Sequence, residues 1–167
     1  MLLNLSSVLV APGASLPFSA SLDLSDLTFG SGRPVTQPVL ASGAVRNTAG
    51  VLEMTGTVST TLHAVCDRCA SEFERSVSWP IRATLVTEPD ADSFDDLWTF
   101  EIRDGCADLD DIVTTTFVLN MDSRLLCRED CRGLCCRCGK NLNEGPCGCG
   151  REPDPRFAAL KQLLEQE

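Results

Sequence analysis

Eight of the ten cysteines in this 167-residue chain fall into four close pairs. They are Cys66/Cys69 in CDRC, Cys127/Cys131 in CREDC, Cys135/Cys138 in CCRC and Cys147/Cys149 in CGC, with Cys106 and Cys136 left over. Two residues between cysteines, as in CDRC and CCRC, let both thiolates bend round one ion while backbone N–H groups point at the sulfurs, so such a pair supplies half a tetrahedral zinc site. Gly139, directly after Cys138, suits the left-handed turn such a knuckle needs. The same spacing is poor for a disulfide inside a pair, because the small ring is strained. A secreted, disulfide-stapled module is the competing reading. The length, the clustering and the absence of a basic segment before the first apolar run all point to metal in a reducing compartment instead.

Four half-sites combine into two whole sites in three ways. Only eight residues separate Cys138 from Cys147, so closing that loop loses little entropy. This assigns Cys135, Cys138, Cys147 and Cys149 to one local site. Cys66, Cys69, Cys127 and Cys131 then form a second, closing a stretch of 57 residues between Cys69 and Cys127. Thiolates suffice to fill both sites, whereas catalytic zinc keeps a position open for water. The expectation is therefore two structural zinc ions. A rubredoxin-like iron site is the alternative, but such sites use two CxxCG knuckles, and this chain follows one knuckle with CGC. The lone histidine, His63, lies in a predicted strand and reads as structural. No GxSxG elbow, phosphate-binding loop or GxGxxG is present, and the chain reads as a non-enzyme.

The net charge of −10 is concentrated: residues 88–111 carry ten acids against Arg103 alone. A chain this acidic is not a general nucleic-acid binder, which needs a basic footprint. Aromatic residues make up 5% and tyrosine is absent, so aliphatic side chains must fill the core. No run reaches the ~18 apolar residues of a membrane span. The N-terminal MLLNLSSVLVAPG lacks a basic n-region and reads as a first strand ending in a Pro-Gly turn, not as a signal peptide. The expected location is cytoplasmic.

Residues 35–87 read as strands. Val77, Trp79, Ile81, Ala83 and Leu85 alternate with polar residues at period two, and Pro80 places that strand at an edge or a bulge. VLEMTGTVSTTLHAV, rich in Val and Thr, suits a pleated neighbour. Residues 88–96 read as a solvated acidic loop, and LWTFEI as a short strand. Asp108 opens a helix whose Leu109, Ile112, Val113 and Thr116 share one face. A last helix starts at Asp154 and carries Phe157, Leu160 and Leu164 as a stripe. The fold class expected is α+β: an antiparallel β-rich body, a short helix near 108–119, a cysteine-rich zinc-knuckle segment and a C-terminal helix. One domain is expected, with the body over 1–126 including the acidic stretch 88–111, the zinc segment over 127–150 and the helix over 154–166.

CDRCASEF, DLDD, LCREDCRGLC, CGKNLNEGPCGC and DPRFAALKQLL together resemble the YceD family of large-subunit ribosomal RNA accumulation proteins of bacteria and plastids, from about residue 40 onward. The resemblance implies a non-enzymatic role in the synthesis, processing or stability of that RNA. Cys66, Cys69, Cys127, Cys131, Cys135, Cys138, Cys147 and Cys149 match its cysteine-rich branch, and Cys136 stands where the family usually carries proline. The implied partner is ribosomal RNA or a ribosomal or assembly protein, with no membrane and no small-molecule substrate. Between Asp122 and Arg151 six bases face four acids. Arg128, Arg132, Arg137 and Lys140 are the candidate contacts, since arginine can grip phosphate bidentately. The competing function is a thiol-based redox or metal-handling protein using exposed thiols such as Cys136.

Overall fold

A computed structural model describes residues 1–30, 32–87 and 98–149. The acidic residues 88–97 and the C-terminal helix expected over 154–166 lie outside the described residues. The chain divides into two compact units, one of Met1–Asp67 with Ser71–Cys127, the other of Arg68–Ala70 with the chain from Arg128 onward.

The first unit is built on a five-stranded sheet of β2 (Ser15–Leu22), β3 (Val39–Thr48), β4 (Val51–Val65), β5 (Glu72–Val86) and β6 (Thr99–Glu101), in that spatial order. The strands β2 to β5 run antiparallel, whereas β6 pairs parallel to the end of β5 at Thr84–Val86. A separate two-stranded ladder joins β1 (Leu2–Asn4) to β7 (Cys106–Asp108), and the described residues of the unit add two helices, α1 (Ser6–Leu9) and α2 (Leu109–Asn120). Among the described residues no helix is long and apolar enough to cross a membrane. The architecture is α+β, with the strands dominant.

The alternation read at 77–85 extends along all of β5. Ile81, Ala83 and Leu85 are buried while Ser78, Pro80 and Arg82 are exposed. Pro80 is opposite Thr57 of β4, and β6 covers only the three residues from Thr84, so at Pro80 no named strand pairs with the outer side of β5. A residue without an N–H is tolerated there because no ladder bond is lost. Pro17 sits on β2, which is the edge strand at the opposite side of the sheet. Between β3 and β4 the register sets Gly43 opposite Gly56, and a Cβ on Gly43 would run into the Thr55 carbonyl oxygen. Glycine is there because the two backbones leave no room for a side chain.

The N-terminus differs from the strand expected. β1 stops at Asn4, whose side-chain oxygen accepts the Ser6 N–H at 2.9 Å and turns the chain into the single turn α1. Leu5 and Val8 are buried there. The buried Asn47 side chain donates to the Val8 carbonyl at 2.7 Å and accepts the Gly50 N–H at 2.9 Å. It thus satisfies one of the carbonyls a helix end leaves open.

Asp108 caps α2, its side chain accepting the Asp110 N–H at 3.0 Å. Leu109, Ile112, Val113, Thr116 and Phe117 form the buried face. The threonines do not interrupt the helix, because Thr116 returns its hydroxyl to the Ile112 carbonyl at 2.8 Å. Phe117 is fully buried and meets the rings of Phe29 and Trp79 edge-on, at 5.9 and 5.3 Å.

Candidate metal centres

Two turns far apart in the chain share one plan. In the first, the Cys66 N–H donates to the Ser71 carbonyl at 2.9 Å, and Ala70, next after Cys69, holds φ at 55°. In the second, the Cys135 N–H donates to the Lys140 carbonyl at 2.8 Å, and Gly139, next after Cys138, holds φ at 71°. Each turn reaches from the first cysteine to the residue five positions on, and a left-handed residue turns the chain back. Glycine takes that conformation without penalty, whereas alanine pays roughly 1 kcal/mol.

Each turn is anchored. Asp67 accepts the Leu125 N–H on its carboxylate at 2.7 Å and donates its own N–H to the Leu125 carbonyl at 2.8 Å. This clasp fixes the first turn to the segment that leads into Cys127. Around the second turn the Leu142 N–H donates to the Gly133 carbonyl at 2.9 Å, so residues 133–142 close on themselves.

The sulfurs converge in two groups. Cys66, Cys69, Cys127 and Cys131 form one, Cys135, Cys138, Cys147 and Cys149 the other, and within each the four Sγ atoms lie within 4.8 Å of one another. This is the pairing that loop length favours. Cys66, Cys69 and Cys131 are buried, while Cys138 is exposed. Cys106, on β7, and the exposed Cys136 belong to neither group.

Both donor sets fit a metal ion. Four sulfurs about a zinc ion with Zn–S bonds of about 2.3 Å stand roughly 3.8 Å apart, so either group needs only a small contraction. The electrostatics of the second group agree. The backbone N–H groups of Cys138 and then Arg137 are directed at the Cys135 sulfur and, with the Cys147 thiol, hold its pKa down to about 6. Cys149 is pushed up to about 12, first by its hydrogen bond with the Cys138 side chain, then by desolvation and by the charge of its neighbours. Thiols this close cannot all ionise by themselves. A bound cation would supply the missing charge and favour the thiolate form of the set.

Asn143 is a site residue that cysteine spacing does not reveal. Its Nδ2 donates to the Cys131 Sγ at 3.3 Å and its Oδ1 accepts the Arg132 N–H at 2.8 Å. Asn141 holds it in place by accepting both the Asn143 N–H, at 3.0 Å, and its Nδ2, at 2.8 Å. A hydrogen bond onto a ligand sulfur orients the thiolate and lowers its basicity. The signal in the sequence was Asn-Leu-Asn set between two cysteine pairs.

The four candidate basic contacts are all exposed. Arg128 lies 3.4 Å from Asp130, and the Lys140 ammonium donates to the Pro146 carbonyl at 3.1 Å. His63, far from being a ligand, pairs its Nδ1 with Glu74 at 3.1 Å across the β4–β5 ladder.

Residues 54–164 match the family model described as large ribosomal RNA subunit accumulation protein YceD. An uncharacterised protein of Mycobacterium tuberculosis is 31% identical over 121 residues, covering 71% of this chain and 58% of that protein. The chloroplastic large ribosomal RNA subunit accumulation protein YCED homolog 1 of Arabidopsis thaliana is 26% identical over 164 residues, covering 80% of this chain and 50% of its own length. The chain thus spans between half and three-fifths of the curated relatives it matches. No solved structure matches it. The family match runs from β4 through both cysteine groups, and on that match the chain belongs to the YceD family of large ribosomal RNA subunit accumulation proteins.

Proposed function

We propose that this protein is a non-enzymatic accessory factor in the synthesis, processing or stability of large-subunit ribosomal RNA, and that its two cysteine groups hold structural zinc. The observation that carries this reading is the pair of complete four-sulfur sets inside a chain of this family. Four thiolates saturate a tetrahedral ion and leave no position for a reacting water, so the metal's work is to hold the fold of the cysteine-rich segment. Arg128, Arg132, Arg137 and Lys140 surround those sulfurs in the sequence, and folding round zinc would present them together to phosphate. Cytoplasmic action and the absence of a small-molecule substrate belong to the same reading.

The test is a double charge reversal, Arg132→Glu with Arg137→Glu. Both side chains are exposed, so the variant is expected to keep its metal and its melting temperature. Its affinity for pre-ribosomal RNA is expected to fall, and the salt dependence of binding to flatten by roughly one to two units, as when one or two phosphate contacts are removed. Unchanged RNA affinity would remove these arginines from the interface.

A further inference from the structure

Beyond the β3 register, β4 is paired on one side only. β3 covers it from Val51 to Ser59. Further along, among the described residues, no named strand pairs with that side, which is met by the Thr60 hydroxyl donated to the Gln37 and Pro38 carbonyls at 3.4 and 3.3 Å, the Val35–Leu62 bridge and the His63 N–H donated to Pro34 at 2.8 Å. A cleft of about 640 Å³ opens at this end of the β4–β5 hairpin. That volume lies in the range of sites that enclose a ligand. We propose that this cleft docks a basic, arginine-bearing segment of a protein partner.

The walls supply two half-buried aromatic rings, Phe29 and Phe73. The rim supplies three exposed carboxylates: Glu72, Glu74, which also pairs with His63, and Asp67, one oxygen of which accepts the Leu125 N–H. Against them stands one permanent cation, Arg33, itself 3.7 Å from Asp26. Phe73 lies on the core side of β5 and Glu72 and Glu74 on the other, so the rings line the cleft while the carboxylates flank its mouth. An arginine-bearing chain uses both, one guanidinium stacking its face on a ring and another bonding a carboxylate with its edge. The wider field has the same sign. Outside residues 88–97, the unit that carries the cleft has 12 acidic and 6 basic residues, whereas the cysteine-rich unit has 7 acidic and 8 basic ones. A field this negative repels RNA from the cleft and steers a basic chain toward it. The proposal uses none of the residues assigned above to RNA, and each stands or falls without the other.

The probe is a short fluorescent peptide of alternating arginine and glycine, titrated into the full chain, with the alternating lysine and glycine peptide beside it. Glu72→Lys with Glu74→Lys is expected to weaken the arginine peptide about tenfold or more, the loss of at least one charge-assisted contact, at unchanged melting temperature. Phe73→Leu is expected to reduce the preference for arginine over lysine. Neutralising Asp92, Asp95 and Asp96 to asparagine, and the Arg132→Glu, Arg137→Glu change, are expected to leave peptide affinity within about twofold. Equal binding by the Glu72/Glu74 variant would overturn the proposal, as would loss of binding on neutralising the three aspartates. A single-stranded RNA that perturbs the His63 and Phe73 resonances in preference to the peptide would make the occupant nucleic acid. A dimer of the wild type abolished by the same double substitution would make it a second copy of this chain.

Discussion

Cys69→Ser is expected to release one of two metal ions and to lower the free energy of unfolding by about 4 kcal/mol, the entropy regained when a loop of this length is no longer closed. A metal bridging Cys69 and Cys127 ties off 57 residues. Serine keeps the volume but not the soft anionic donor, and the three remaining sulfurs include two that are buried, Cys66 and Cys131. Cys147→Ser opens only the eight-residue loop after Cys138, with an expected loss of about 2.5 kcal/mol from loop closure alone. Hydrogen exchange distinguishes the two. Cys69→Ser is expected to loosen amides into β4 and β5, which flank the CDRC turn, whereas Cys147→Ser is expected to loosen residues 133–149 and little else. Identical exchange patterns would show that the cysteines are partitioned differently.

Phe117→Ala is expected to cost about 3–5 kcal/mol, the range for removing a large side chain from a core that cannot collapse. Phe117 is fully buried, and its loss removes both edge-on ring contacts, with Phe29 and Trp79, at once. For a domain of this size the melting temperature should fall by roughly 10 °C. The metal content should not change, because the cysteine groups draw on other parts of the chain. Equilibrium urea unfolding with parallel metal analysis checks both points. A loss under about 1 kcal/mol would mean that α2 does not pack on β5 as described.

Where the sequence was legible, one physical signal dominated. β4 coincides with the Val- and Thr-rich run 51–65, and α2 begins at the Asp108 cap and buries the stripe read for it, because burial on one face leaves a periodic trace. The pairing of cysteines could be read from loop length, since short loops close first. What escaped lacks such a trace. α1 is a single turn set by one asparagine side chain, too short for any period. The parallel pairing of β6 depends on how the chain returns to β5, which no local pattern records. Asn143 acts on a sulfur 12 residues away, and the cleft arises from segments around residues 29–34, 63–67 and 72–74 that only the fold brings together.

The central claim is that eight cysteines form two complete all-sulfur zinc sites. Elemental analysis of the untagged protein, joined to X-ray absorption at the metal edge, tests it directly. The expected result is two zinc ions per chain, each in a shell of four sulfurs at about 2.3 Å, with the same count in Cys136→Pro, because Cys136 belongs to neither group. One ion or none per chain, iron in place of zinc, a shell containing nitrogen or oxygen, or the loss of an ion from Cys136→Pro would contradict it.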